Sequence, residues 1–189
     1  MTKMKLAFSN TLLSAFLAQI VRSFQAHHAK RYLGRTAMQK LAYFCKAVGA
    51  PIPCSFEIYN YGPYSDEITF SVDAMMADEV LKDISKHTKK YSNYRLSSNA
   101  NDISDELQDR VEDFETRIDN VVEVLGGFDP PTLELIATLH FVADRLVRIS
   151  GAKPSQDEVV KGFQGIKGSK FTEKDVNLWY GKLVKARLV

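Results

Sequence analysis

Apolar residues recur at intervals of three and four along nearly all of this chain, and that period restricts the fold more than any other feature. It is the period of an amphipathic helix, whose apolar face must be buried. Leu12, Leu13, Phe16, Leu17, Ile20, Val21 and Phe24 form one wide stripe, so a first helix is expected over residues 11–29, ending around Lys30-Arg31. Thr36-Ala37-Met38-Gln39 has the form of a capping box, in which the Thr and Gln side chains satisfy orphan backbone donors. The second helix it opens runs through Leu41, Tyr43, Phe44 and Val48 and stops at Gly49, with Pro51 and Pro53 beyond. A third starts at Ser65, with Asp66 and Glu67 in the dipole-favoured first turn, and buries Ile68, Val72, Met75 and Met76.

Extended segments interrupt this pattern in two places. Phe56, Ile58 and Tyr59 to Tyr61 form a short aromatic-rich run, after which Gly62-Pro63 is expected to turn the chain. Val80–Ser85 and Tyr91–Leu96 flank the basic tip Lys86-His87-Thr88-Lys89-Lys90 and read as a hairpin. Helix, helix, strand, helix, hairpin is the order of a winged-helix unit, assigned here to residues 1–98. A polar linker, 97–102, leads into a second half that is helical throughout. The stripe Ile103, Leu107, Val111, Phe114, Ile118, Val121, Val122, Leu125 predicts one continuous helix up to Gly126-Gly127. Asp129-Pro130-Pro131 starts a mostly apolar helix over 130–150. Ser155 and Glu158 form another capping box, opening a helix to about Phe163. Thr172, with Asp175 as its box partner, opens the last helix, with Trp179, Tyr180 and Leu183 as core contacts. The expected fold is mainly α: a winged-helix-like amino-terminal half with a β-hairpin wing, packed on a helical unit over residues 99–189 as one compact domain.

With 189 residues, folding can hide about 70% of the extended chain's surface without a disulfide or metal staple. Cys45 and Cys54 stand nine apart and fit no ligand spacing, so neither a metal nor another cofactor is expected. The early apolar run is broken by Ser9, Asn10, Thr11 and Ser14, which argues against a secretory signal. No window approaches the ~18 apolar residues that a membrane span requires, and a soluble, cytoplasmic protein is expected. An amino-terminal helix too apolar for its own core to cover would make a homodimer.

Net charge is only +2, so bulk charge does not point to nucleic acid. The signs are nonetheless segregated. Residues 1–56 hold eight bases and no acid, 57–85 seven acids and one base, and 86–100 four bases and no acid. Residues 101–134 hold eleven acids and two bases, and the remainder ten bases and five acids. Alternating blocks of this kind become solvated faces, internal complements, or a partner surface of one sign.

No phosphate-loop, dinucleotide or nucleophile-elbow pattern occurs, and no catalytic residue is assigned. His140 and Asp144 share a helix face, but no nucleophile or third ligand accompanies them, which favours a buried hydrogen-bonded pair. In the Tyr59–Ser65 turn, Gly62, Pro63 and Ser65 have a sufficient structural account as turn and cap residues. The functional alternative is that Tyr59, Tyr61 and Tyr64 form an aromatic patch for a protein partner. The third helix would be the reading head of a DNA-binding winged helix, yet Asp66, Glu67, Asp73, Asp78 and Glu79 are its only charges over residues 65–79. Phosphates would repel it. Lys86, Lys89 and Lys90 on the wing, extended by Arg35 and Lys40 of the amino-terminal half, are the alternative nucleic-acid contacts. The acidic face of residues 103–125 is an outer face opposite the apolar stripe, paired with basic segments of the same chain, or else it mimics nucleic acid or docks on a basic protein.

Met38-Gln39-Lys40-Leu41-Ala42-Tyr43-Phe44 and Tyr59-Asn60-Tyr61-Gly62-Pro63-Tyr64-Ser65 carry a family resemblance. Together they resemble the bacterial YwgA-type proteins of uncharacterised function and, more distantly, the Panacea (SocA-like) antitoxin domain. Leu133–Phe141 and Phe171–Val176 extend the YwgA-type resemblance, so that it covers residues 11–188. It implies a mostly helical, winged-helix-like fold without catalytic residues; the related antitoxins act by binding a partner protein, whereas the YwgA-type proteins bring no settled activity. With no catalytic constellation and an acidic third helix, a non-catalytic regulatory or antitoxin-like protein that works by protein–protein contact is expected.

Overall fold

The computed structural model describes residues 8–85 and 91–189. Its contacts divide the chain into two units, one of residues up to Glu57 with Tyr64–Phe128, the other of Ile58–Pro63 with Asp129–Val189. The division therefore falls at Phe128–Asp129 rather than at the polar linker near residue 98. No helix among the described residues is long and apolar enough to cross a membrane.

The first unit is organised around helix α1 (Leu12–His27), which Thr11 caps by accepting from the Ser14 N–H at 3.1 Å. Phe16, Leu17, Ile20 and Val21 are wholly buried; each such side chain contributes about 1.5–3 kcal/mol. Helices α2 (Arg35–Ala47), α3 (Asp66–Ala77), α4 (Asp105–Glu112) and α5 (Glu115–Leu125) all contact α1. The amino-terminal stripe is thus covered within its own unit.

Two local expectations are corrected here. Helix α2 begins at Arg35, behind Gly34, with no side-chain cap. This start puts Gln39 too far along to close a box with Thr36, and its amide binds elsewhere. Its Nε2 donates to the Ser65 carbonyl at 2.9 Å and its Oε1 accepts from the Ser65 N–H at 3.0 Å, tying α2 to the start of α3. The helix expected over 103–125 is two, separated at Asp113–Phe114. At the break the Phe114 ring lies 6.1 Å from that of Phe16.

Strands β1 (Glu57–Tyr59) and β2 (Gly62–Tyr64) pair as a small hairpin. Its reversal falls at Asn60–Tyr61, so Gly62-Pro63 opens the returning strand instead of making the turn. Gly62 takes φ of 87°, a conformation that favours glycine. Strands β3 (Leu81–Asp83) and β4 (Tyr94–Leu96) pair antiparallel, Leu81 opposite Leu96 and Asp83 opposite Tyr94.

The second unit contains helices α6 (Pro130–Ser150), α7 (Gln156–Lys167) and α8 (Glu173–Lys185). Asp129 caps α6 by accepting from the Thr132 N–H at 2.7 Å, and Gly151 ends it in the left-handed conformation. Ser155 and Glu158 form the full capping box of α7, and Thr172 caps α8. Helix α6 packs on both others. A Cβ on Gly162 would meet Val142 Cγ1 at 2.8 Å, so the absence of a side chain there sets how closely α7 approaches α6.

Candidate functional site

The β1–β2 turn is held from beneath by charge. Glu134 lies on the buried face of α6, with its side chain only 3% exposed. Its Oε1 accepts from Lys167 Nζ at 2.7 Å and from Lys170 Nζ at 2.7 Å, and its Oε2 from Lys170 at 2.8 Å. Lys167, with a side chain also 3% exposed, donates in addition to the Asn60 carbonyl at 2.8 Å. The Lys170 ammonium stands 5.1 Å from the centre of the Tyr61 ring, within cation–π range. One buried carboxylate thus holds two lysines, and the lysines hold the turn.

On that turn Tyr59 and Tyr61 are 64% and 60% exposed. Tyr64 is different: it is half-buried, and its hydroxyl shares a hydrogen bond of 2.8 Å with Thr69 on α3. The expected patch of three therefore reduces to Tyr59 and Tyr61, because Tyr64 is engaged by the helix that follows it.

The basic residues proposed for nucleic acid do not form one surface among the described residues. Lys86, Lys89 and Lys90 lie outside those residues. Lys40 is 1% exposed, so its ammonium cannot reach a phosphate; this corrects its assignment as a contact. Lys46, another base of the same block, donates to the Ile52 and Cys54 carbonyls. Arg35 does reach solvent, and its Nε donates to the Tyr94 hydroxyl at 3.4 Å. That hydrogen bond and the Tyr94 charge hold its guanidinium above the usual arginine range. On α3, Asp66, Glu67 and Asp73 are exposed around an exposed Phe70.

His140 is buried, and burial pushes its imidazole below the usual histidine range against the pull of Asp144 and the Leu188 backbone. Asp144 itself accepts from exposed Arg148 at 2.7 Å. No group of three or more metal-ligating side chains occurs among the described residues.

The acidic face is partly hydrogen-bonded within its own unit. Glu115 accepts from Gln19 at 2.9 Å, and Asp119 accepts from Ser23 and from His27. Those bonds keep the Asp119 carboxyl below the usual range, the Ser23 hydrogen bond being the largest cause and the His27 hydrogen bond the next. His28 closes the other end of α5, its Nε2 lying 2.9 Å from the Val122 carbonyl and 3.1 Å from that of Glu123.

Glu134, Lys167 and Lys170 were not singled out from the sequence, where they read as members of charge blocks. The available signal was a lone carboxylate between Leu133 and Leu135 on a helix apolar over most of its circumference. A charge so placed is buried only when paired.

Together these features define a mainly helical protein with two small two-stranded hairpins. No family model matches the chain. Over 111 residues it is 27% identical to the uncharacterised protein YwgA of Bacillus subtilis (strain 168). That stretch is 58% of this chain and 64% of the relative, just under two thirds of its length.

Proposed function

We propose that this protein is a non-catalytic regulatory or antitoxin-like module that works by contact with a partner protein, through the β1–β2 turn. The observation that carries this is the exposure of Tyr59 and Tyr61 on a turn anchored by Lys167 and Lys170, both held by the buried Glu134. Tyrosine is favoured at interface hot spots because it supplies large amphipathic area at low entropic cost. A turn fixed beforehand loses little further freedom on binding. The resemblance of Met38–Phe44 and Tyr59–Ser65 to YwgA-type and antitoxin-domain sequences supports the same reading. In it, the order α1, α2, β1–β2, α3, β3–β4 is a winged helix whose third helix is turned from nucleic acid by Asp66, Glu67 and Asp73.

The test is affinity capture from the native host with quantitative mass spectrometry, wild type against Tyr59→Ala/Tyr61→Ala. A stoichiometric protein partner is expected with the wild type and is lost with the double variant. Recovery of no such partner, or equal recovery by both, overturns the proposal. The alternative, a nucleic-acid-binding winged helix, rests on exposed Arg35 and the Lys86, Lys89 and Lys90 run.

A further inference from the structure

The loop between α1 and α2, with the first residue of α2, carries Lys30, Arg31, Tyr32 and Arg35 and no acid, and all four are exposed. Its course is fixed by the strand beside it. Arg95 of β4 donates through Nη2 to the Ala29 carbonyl at 2.7 Å and to the Arg31 carbonyl at 3.1 Å. The Tyr94 N–H donates to the Leu33 carbonyl at 2.9 Å, and the Leu33 N–H to Asn93 Oδ1 at 3.3 Å. Gly34 lies against the Ser92 carbonyl, where a Cβ would stand 3.2 Å from the oxygen. Residues 31–35 therefore run antiparallel to 91–95 as a ribbon, Arg31 beside Arg95 at one end and Gly34 beside Ser92 at the other. Tyr32 and Tyr91 stand toward its opposite ends, 76% and 65% exposed, about 10 Å apart along it.

Among the described residues no carboxylate forms an ion pair with Lys30, Arg31, Arg35 or Arg95. Arg95 directs its hydrogen bonds to carbonyls and Arg35 to the Tyr94 hydroxyl, which holds both side chains in place and leaves their charges uncancelled. Asp73 and Asp83 act on Arg35 only from a distance, and Asp83 is occupied by the Ser85 and Asn93 N–H groups. Charge alone would suit any polyanion, but the two ring faces narrow the choice. Nucleic-acid bases offer flat faces between their phosphates, and aromatic side chains interleaved with cations bind them by stacking. In a duplex those faces lie on one another, whereas a single strand presents them. We propose that the ribbon of residues 30–35 and 91–95 binds single-stranded nucleic acid, bases stacking on Tyr32 and Tyr91 and phosphates meeting Lys30, Arg31, Arg35 and Arg95. This goes beyond the protein-contact reading and uses neither the Tyr59–Tyr61 turn nor Lys86, Lys89 and Lys90.

The probes are fluorescently labelled oligo(U) and oligo(dT) of about 12 nucleotides, and a duplex of equal length, each titrated with the full chain. Binding is read by anisotropy at low and moderate salt, and the surface is mapped by amide shifts in 15N-labelled protein. Single strands are expected to bind, more weakly as salt rises, with shifts at residues 29–35 and 91–96. Tyr32→Ala/Tyr91→Ala is expected to weaken binding at least tenfold, and Tyr32→Phe/Tyr91→Phe, which keeps both rings, less than twofold. Lys30→Glu/Arg31→Glu is expected to weaken it at least tenfold. Lys174→Glu/Lys185→Glu makes the same charge change on exposed positions of α8 and is expected to change it less than twofold. Circular dichroism checks each fold, and Tyr32→Ala alone replaces the alanine pair if that pair fails to fold.

A preference between the two strands identifies the sugar and supports the proposal either way. No binding of either strand at low salt overturns it. So does binding that the alanine pair leaves unchanged, which is attraction between charges alone, and so does a duplex bound as tightly as the single strands. Equal weakening by both charge reversals, or shifts lying elsewhere, removes the ribbon as the site. Tyr32-dependent binding to phosphatidylserine vesicles or to polyglutamate that exceeds binding to the oligonucleotides assigns the surface to a membrane or an acidic protein and likewise overturns the proposal. Capture of a protein through Tyr59 and Tyr61 is expected to survive Tyr32→Ala/Tyr91→Ala, so the two readings stand or fall separately.

Discussion

Replacing Glu134 by Gln keeps the shape of the side chain and removes its charge. Lys167 then keeps a buried ammonium whose described partners are the Asn60 carbonyl and a neutral amide. Lys170, with a side chain 44% exposed, can turn to solvent, so its loss of a partner matters little. Breaking a buried ion pair from one side costs about 3–5 kcal/mol, because the remaining charge is left uncompensated. In a chain of this size that corresponds to a fall in Tm of roughly 6–20 °C. Urea unfolding followed by fluorescence suits the question, since Trp179 is the only tryptophan and lies on α8 of the same unit. The companion variant Glu134→Leu/Lys167→Met removes both buried charges and is expected to recover most of the loss, because an ion pair and a packed apolar pair are close in net stability. A Glu134→Gln cost below about 1 kcal/mol, or a double variant no more stable than the single one, refutes the claim that this pair is buried and coupled.

Two glycines of α7 are expected to respond in opposite directions. Gly162→Ala drives a Cβ to 2.8 Å from Val142 and should destabilise by about 1–3 kcal/mol, whereas Gly165→Ala meets nothing within 4 Å and should stabilise by about 0.5–1 kcal/mol; thermal melts of the pair check both signs. Because the Asp119 carboxyl is held below its ordinary value of 3.8 in the folded protein, its contribution is present above that pH and is lost as pH falls through the folded value. Asp119→Asn should therefore flatten the acid limb of a stability–pH curve below about pH 4. Duplex DNA at low and moderate salt should show no anisotropy change that Lys86→Glu/Lys89→Glu/Lys90→Glu abolishes; a steep salt dependence lost in that variant would favour the nucleic-acid reading instead.

Local signals carried much of the fold. The Asp129-Pro130-Pro131 start and the Ser155–Glu158 box act within one turn of chain, and the helices they open begin where expected. What stayed hidden was decided by distant groups. Nothing near Asp113 signals a helix break in the sequence, and the ring that the break sets beside Phe114 belongs to Phe16, nearly a hundred residues away. Gln39 matched a cap by spacing but was claimed by the Ser65 backbone. Lys40 sat in a basic block, yet on the buried side of α2. At the tyrosine turn the exposed aromatics were legible as a local motif. The cluster that fixes them was not, because Glu134, Lys167 and Asn60 meet only after α6 and α7 have packed.

The claim that the Tyr59–Tyr61 turn meets a protein is tested most directly by a photo-crosslinking amino acid introduced at Tyr59 in the native host. Irradiation is expected to join the chain to one defined protein, with the yield reduced when Tyr61 is also replaced by Ala. Adducts that are nuclease-sensitive, or a spread of abundant proteins indifferent to Tyr61, would contradict it.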